Sequence, residues 1–504
     1  MTAIGIDYGT SNSEVVYFDG QGSTRIKLDP LDPDNDKIRS SVFIYFENDL
    51  PAPPKDAIEA KVSLLKSAIM TKLEKAKGDY YGAVDPKEQE IFSRRIDALR
   101  AEYHNKPGLQ RQAIGLLARE MTIDELPLNR LVETGKFAFG EEGFRRFLAT
   151  PDKGRFIYSP KNFLGANLDS EQINAFTGII ARQLGYFKYC AEQQLNCPVS
   201  KAVIGRPVKF HGTRGAAGNQ QAVSIMQNAA AQAGFESVSF LEEPIAAAYH
   251  IERTLEQDTT ALIVDIGGGT TDICCIQLGP SKVSSTERQA DVLSVVGKRL
   301  GGMECDKSLV LKAVAPAMGL GLKTQQGLPV PPSYFSDMCA VDNLPVLTRF
   351  FSEDYGLEIA QTMSITPNSE ELERLMTVHE KKLSARVVNS ARMAKELLSS
   401  RESITLPLHY IEADFSVTIS KSTLANSMQR WLDQVTRLTQ ECLKNTSTAP
   451  EVAMITGGMS LSPIVVESLT TTLLENLPLL PNDAFNSISE GLAIQAYLEY
   501  SSNK

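Results

Sequence analysis

Two short stretches carry residue types suited to phosphate and metal chemistry. Asp7-Tyr8-Gly9-Thr10-Ser11 follows the apolar run Ala3-Ile4-Gly5-Ile6, and Asp265-Ile266-Gly267-Gly268-Gly269-Thr270-Thr271-Asp272 follows Ala261-Leu262-Ile263-Val264. A second apolar run comes after each, Glu14-Val15-Val16-Tyr17-Phe18 and Ile273-Cys274-Cys275-Ile276. This predicts two β-hairpins whose glycines supply positive φ at the tip. A tip of that kind exposes backbone N–H groups and hydroxyls in a small concave space, which suits phosphate oxygens. The aspartate entering each turn repels phosphate, but it accepts hydrogen bonds from waters around a Mg²⁺. Acids and hydroxyls at this spacing make most sense with a metal nucleotide clasped between two opposed turns. A lone Asp-x-Gly-Thr is more often a plain glycine hairpin. Three consecutive glycines between two acids, costly in unfolded-state entropy, are far more specific, and Gly457-Gly458 adds a strand that runs into a double glycine.

The elements that must hold these turns are legible around them. The chain has 504 residues, 42% hydrophobic and 22% charged, enough for substantial cores and unlike a disordered or membrane-embedded chain. Its formal charge of -10 argues against a partner bound through nucleic-acid phosphates. Seven scattered cysteines without a Cys-x-x-Cys pair indicate neither a disulfide framework nor a zinc site. The first residues carry no signal-peptide pattern and no apolar run is long enough to span a bilayer, so a cytoplasmic protein is expected.

Asp7 and Asp265 lie about half a chain apart, which reads as two related lobes facing one another. Between the hairpins, about residues 51–121 form a Lys- and Glu-rich helical insertion with Ile58, Val62, Leu65, Ile69 and Leu73 at helical spacing. That stripe could dock a partner helix or pack the insertion onto its own lobe. Residues 201–208, 237–241 and 451–456 read as strands, and residues 219–233, 370–399, 422–443 and 489–500 as helices. Pro244 starts a further helix. This alternation predicts an α/β sheet protein.

With these residues in place, the sequence resembles the actin-like ATPase superfamily, and within it the nucleotide-binding domain of DnaK-type heat-shock chaperones. Ser159-Pro160-Lys161-Asn162-Phe163-Leu164-Gly165 is similar to the chaperone segment with the catalytic lysine. Glu242-Glu243-Pro244-Ile245-Ala246-Ala247-Ala248 is similar to Glu-Pro-Thr-Ala-Ala-Ala, and Leu300-Gly301-Gly302-Met303-Glu304-Cys305-Asp306 to Leu-Gly-Gly-Glu-Asp-Phe-Asp. Residues 202–207 with the Ser-Pro-Lys segment resemble the YegD-like subgroup, which has the ATPase part alone. The resemblance covers the chain apart from the insertion and about residues 320–370.

It implies an α/β actin-like fold of two lobes, each built on a duplicated RNase H-like sheet-and-helix unit. Residues 1–253 would be lobe I, with the insertion at about 50–150; residues 258–483 would be lobe II; and 484–504 a C-terminal helix returning to lobe I, with no substrate-binding domain. The implied ligands are ATP or ADP with Mg²⁺. Thr10, Ser11, Gly267, Gly268, Gly269 and Thr270 would hold phosphates, with Gly301 and Gly302 beside them. Asp7 and Asp265 would hold the metal through water. Lys161 would meet the transferred phosphate, Glu243 would hydrate the metal, and Asp265 and Thr270 complete the catalytic set.

Ala391-Arg392-Met393-Ala394-Lys395-Glu396-Leu397-Leu398-Ser399 resembles the family's adenosine helix, with Lys395 and Ser399 in place. The family's glutamate and adenine-stacking arginine fall on Arg392 and Glu396, exchanging the charges. Gly457 and Gly458 would approach the nucleoside, whereas Met459 and Leu461 stand in a segment where the family has an arginine. The expected activity is ATP hydrolysis by a chaperone-like protein with no nucleic-acid or membrane partner. Alternatives sharing the fold are a small-molecule kinase and a nucleotide-switched filament or scaffold protein.

Overall fold

The computed structural model describes residues 2–47, 53–83, 85–120, 126–210, 214–285, 288–481 and 486–500. Residues 51 and 121, the expected edges of the insertion, lie outside the described residues. So do residues 483 and 484, the expected junction before the C-terminal helix, and Lys504.

The chain forms two compact units, one of residues 1–44, 137–152 and 156–504, the other of residues 45–136 and 153–155. In the larger unit the two apolar-turn-apolar segments are hairpins, but Gly9, Gly267, Gly268 and Gly269 do not take the positive φ expected at their tips; close contacts at Gly9, Gly268 and Gly269 call for glycine instead. Thr2–Tyr8 pairs antiparallel with Asn12–Phe18, and Thr259–Ile266 with Thr271–Leu278. The registers match: Asp7 lies opposite Glu14, and Asp265 opposite Asp272. Each hairpin's first strand is then joined on its other side by a parallel strand, Val199–Arg206 for the first and Val452–Thr456 for the second. The first sheet runs on to Ser237–Glu242, also parallel, and the second gains Val292–Lys298 at its opposite edge, antiparallel. The internal echo of the sequence is thus an echo of topology.

Strands Thr259–Ile266 and Thr271–Leu278 are buried almost throughout, which explains why they read as continuous apolar runs rather than alternating ones. Helices cover the sheets. Glu243–Glu252 starts with Pro244 in its first turn and packs against Ser487–Tyr500, which also lies on the first strand. The long helix Lys421–Lys444 buries Leu424, Met428, Trp431, Leu432, Val435 and Leu438, spaced at three and four residues, against the second sheet. Residues 320–370, which the motifs left unread, hold three short helices, Pro332–Met338, Leu344–Phe350 and Glu353–Ser364. The last two are started by side-chain caps from Asn343 and Ser352.

The smaller unit is mainly helical, with Lys55–Gly82, Pro86–His104, Lys106–Glu120 and the shorter Leu128–Thr134. Of its apolar stripe, Ile69 and Leu73 are buried, and Leu73 packs with Ala76 and Ile96 in a small core of this unit's own. Among the described residues no helix is long and apolar enough to cross a membrane.

Candidate nucleotide site

Both hairpin tips open onto one cavity of about 570 Å³. Asp7, Thr10 and Ser11 line it from the first hairpin and Asp265, Gly267, Gly268 and Thr270 from the second. Glu243, Gly302, Lys395, Ser399, Gly457 and Gly458 complete the part of the lining expected from the sequence. Gly269, Gly301 and Lys161 are not on its wall.

The two turns touch. A methyl group on Gly268 would fall 2.2 Å from Ser11 Oγ, and one on Gly269 would fall 2.7 Å from Thr10 Oγ1. Gly301 lies directly behind the second turn, where an added Cβ would stand 2.4 Å from the Gly268 carbonyl and the Gly269 nitrogen. The Gly302 and Met303 N–H groups donate to the Gly267 and Gly268 carbonyls at 3.0 and 2.9 Å. Gly457 combines a φ of 79° with a close approach, because a Cβ there would meet Asp265 Oδ1 at 2.5 Å. Only glycine satisfies both constraints.

Carboxylates dominate the electrostatics. Burial, and after it the charge of Glu243, push the Asp7 and Asp265 carboxyls well above the usual range. The same two causes take Asp272 up to about 7, although it accepts a hydrogen bond from the Val208 N–H at 2.9 Å. Lys161 lies among them, 5% exposed and paired with Glu243 Oε1. Burial alone would lower its pKa; Glu243 and Asp7 outweigh that and hold it above the ordinary lysine value.

The residues fit a bound cation. Asp265 Oδ1 is buried with no hydrogen-bond partner, and a buried carboxylate oxygen left that way is costly. Among the described residues no three His, Cys, Asp or Glu side chains converge to ligate a metal directly. A Mg²⁺ arriving with phosphates would keep most of its waters and could meet this oxygen through one of them.

Several contributors were missed in the sequence. Ser40 braces the first turn: its hydroxyl donates to the Gly9 carbonyl at 2.6 Å and its N–H to the Ser11 carbonyl at 3.0 Å. Gln183 then donates to the Ser40 carbonyl at 3.1 Å and accepts from the Tyr8 hydroxyl at 2.5 Å. Behind the second turn, the Leu300 carbonyl accepts from Thr271 Oγ1 at 2.6 Å and from Trp431 Nε1 at 3.2 Å. Asp306, read only as part of a motif, pairs with Lys395 at 2.7 Å and lines the cavity, as do Tyr158, Glu14, Met303, Met459 and Ile488. The match of the Leu-Gly-Gly segment was a signal for Asp306. For Ser40 and Gln183 no local pattern existed.

Residues 158–317 match the family model described as "Hsp70 protein". The chain is 32% identical over 154 residues to the heat shock cognate HSP70 protein of Trypanosoma brucei brucei, covering 30% of this chain and 20% of that one. It is 31% identical over 156 residues to the chaperone protein HscA homolog of Rickettsia felis, covering 30% of this chain and 23% of the relative. It is 30% identical over 182 residues to the chaperone protein DnaK of Mycoplasmopsis synoviae, covering 35% and 28%. The matched stretch therefore spans between a fifth and somewhat over a quarter of these relatives. Residues 158–317, matched by the family model, contain Lys161, Glu243, the whole second hairpin and Gly301-Gly302. The similarity is to the Hsp70 family, and the mixed α/β architecture with several sheets is consistent with the actin-like ATPase fold that such a match implies.

Proposed function

We propose that this protein binds a magnesium nucleotide, ATP in the first instance, and hydrolyses its terminal phosphate as a DnaK-like chaperone-type ATPase. The observation that carries this is the meeting of two hairpin tips of matched register, each with an aspartate before its turn, at one cavity. On this reading the N–H groups and hydroxyls of Thr10, Ser11 and Thr270, with Gly267 and Gly268, hold phosphate oxygens, and Gly269 supports the turn from behind the wall. When bound, Mg²⁺ neutralises those phosphates, with Asp7 and Asp265 holding its waters. Lys161 supplies a fixed positive charge where negative charge develops, and Glu243 keeps that ammonium in place. Asp265 accepts a hydrogen bond from the attacking water, so the chemistry is positioning and electrostatics rather than a covalent intermediate. Lys395 and Ser399 with Gly457 and Gly458 face the nucleoside.

The same proposal includes the two-lobed arrangement with the boundaries given above, kinship with the YegD-like subgroup and a cytoplasmic location. Client or partner proteins of chaperone type belong to it too.

Lys161→Ala tests it. Turnover should fall by about 100-fold or more, in line with losing a preorganised transition-state charge. Because Glu243 would then be a buried carboxylate without its cation, stability should fall by about 3–5 kcal/mol. Glu243→Gln in the Lys161→Ala background should recover part of the stability and none of the turnover. Wild-type turnover in a folded Lys161→Ala protein would remove the lysine from the mechanism.

A further inference from the structure

One wall of the cavity is furnished differently from the glycine turns. It is built by the helix Ser384–Leu398 and the segment after strand Val452–Thr456, which present Arg392, Glu396, Ser399, Met459 and Leu461. The Arg392 side chain is only 15% exposed, and its Nε is buried without a hydrogen-bond partner. Its paired acid, Glu396, lies one helical turn on at 3.7 Å, beyond hydrogen-bond reach, and is 59% exposed at the rim. Lys395, between them in sequence, is committed to Asp306 and to the Gly302 carbonyl at 2.7 and 3.2 Å. The wall therefore carries a guanidinium whose buried Nε lacks a partner and, one helical turn on, a largely exposed carboxylate, framed by the apolar side chains of Met459 and Leu461.

We infer that this wall reads a 6-oxopurine, so that the site takes guanosine nucleotides at least as tightly as adenosine nucleotides. A guanidinium only donates and a carboxylate only accepts. Guanine offers both what they need: O6 and N7 accept from an arginine, the commonest specific contact to that base, and N1–H with the 2-amino group donates to a carboxylate as a two-pronged fork. Adenine has a single exocyclic donor and no N1–H, so the same pair makes fewer charge-assisted bonds with it. Met459 and Leu461 suit the flat face of either purine and do not discriminate.

This inference rests on the nucleotide-binding reading and refines it. The test is calorimetric titration of Mg-GDP, Mg-IDP and Mg-ADP into the wild-type protein and into Glu396→Gln, a substitution at an exposed position that the fold tolerates. The wild type should bind GDP with a Kd equal to or below that of ADP, and IDP, which lacks the 2-amino group, should fall between. Glu396→Gln should weaken GDP by about tenfold, a loss of about 1.4 kcal/mol, and leave ADP within about twofold. ADP binding more tightly than GDP, or a GDP-to-ADP ratio that Glu396→Gln leaves unchanged, would overturn the inference while leaving the nucleotide site intact. If none of the three diphosphates binds, the nucleotide reading itself fails and the inference goes with it.

Discussion

The two hairpins share a backbone plan and are held by different means. In both, an aspartate sits at the end of the first strand opposite a second acid, and a parallel strand flanks the first strand. The first turn has one glycine and is braced from behind largely by side chains, Ser40 onto Gly9 and Gln183 onto Ser40. The second turn has three glycines and is braced by backbone, the Gly302 and Met303 N–H groups on Gly267 and Gly268. A backbone brace needs close approach, and close approach excludes Cβ atoms, which is why glycines are concentrated at the second turn and behind it. The difference teaches that a repeated topology can be fixed once by side-chain chemistry and once by the absence of side chains.

The largest effect that would break or sharpen this comparison is one where the hairpins should behave alike. Asp272 and Glu14 occupy matching positions, and burial takes each carboxyl up to about 7. A carboxyl raised in the fold contributes stability that is fully present below the unfolded value of about 4 and is lost as pH rises through about 7. Without divalent cation, thermal stability should therefore decline between about pH 4 and about pH 7, by several kcal/mol in all. Asp272→Asn, which keeps an acceptor for the Val208 N–H, and Glu14→Gln should each flatten part of that decline. Melting curves in which only one of them does so would mean that the hairpins are not electrostatic equivalents.

Smaller effects should separate the two braces. Gly301→Ala forces a methyl into the backbone of the second turn and should cost about 1–3 kcal/mol, with nucleotide affinity falling about tenfold or more. Gly22→Ala, where nothing lies within 4 Å, should stay within about 0.5 kcal/mol of wild type. At the first turn, Ser40→Ala strips the Gly9 carbonyl of its donor and should cost about 1–2 kcal/mol. Urea unfolding of the three variants gives the ranking. Equal costs for Gly301→Ala and Gly22→Ala would refute the close-packed brace.

Much of this was legible in the sequence because it is local. A strand buried on both faces writes itself as an apolar run, and a turn that must expose N–H groups writes itself as glycine and hydroxyls. Hence Asp7, Thr10, Ser11, Asp265, Gly267, Gly268 and Thr270 could be named from the string and are found on one wall or another of the cavity. Lys161 shows where motif reading stops. Its segment is recognisable, but its burial behind the cavity and its pairing with Glu243, 82 residues on, are tertiary facts. Ser40, Gln183 and Trp431 were invisible for a related reason: each donates to a backbone carbonyl far along the chain, and a carbonyl has no residue type. The short helices of residues 320–370 depend on caps and on burial against the second sheet's core, so no long apolar period announces them.

The central claim is that the cavity takes a magnesium nucleotide between the two turns. Isothermal titration of ATP into the purified protein, with Mg²⁺ and again with EDTA, tests it most directly, using Asp265→Asn combined with Thr270→Val as the disabled second turn. One-site saturable binding that needs Mg²⁺ and is weakened at least about tenfold in the double variant is the predicted result. Absence of binding to the wild type, or binding that is indifferent to both the metal and the double substitution, would contradict it.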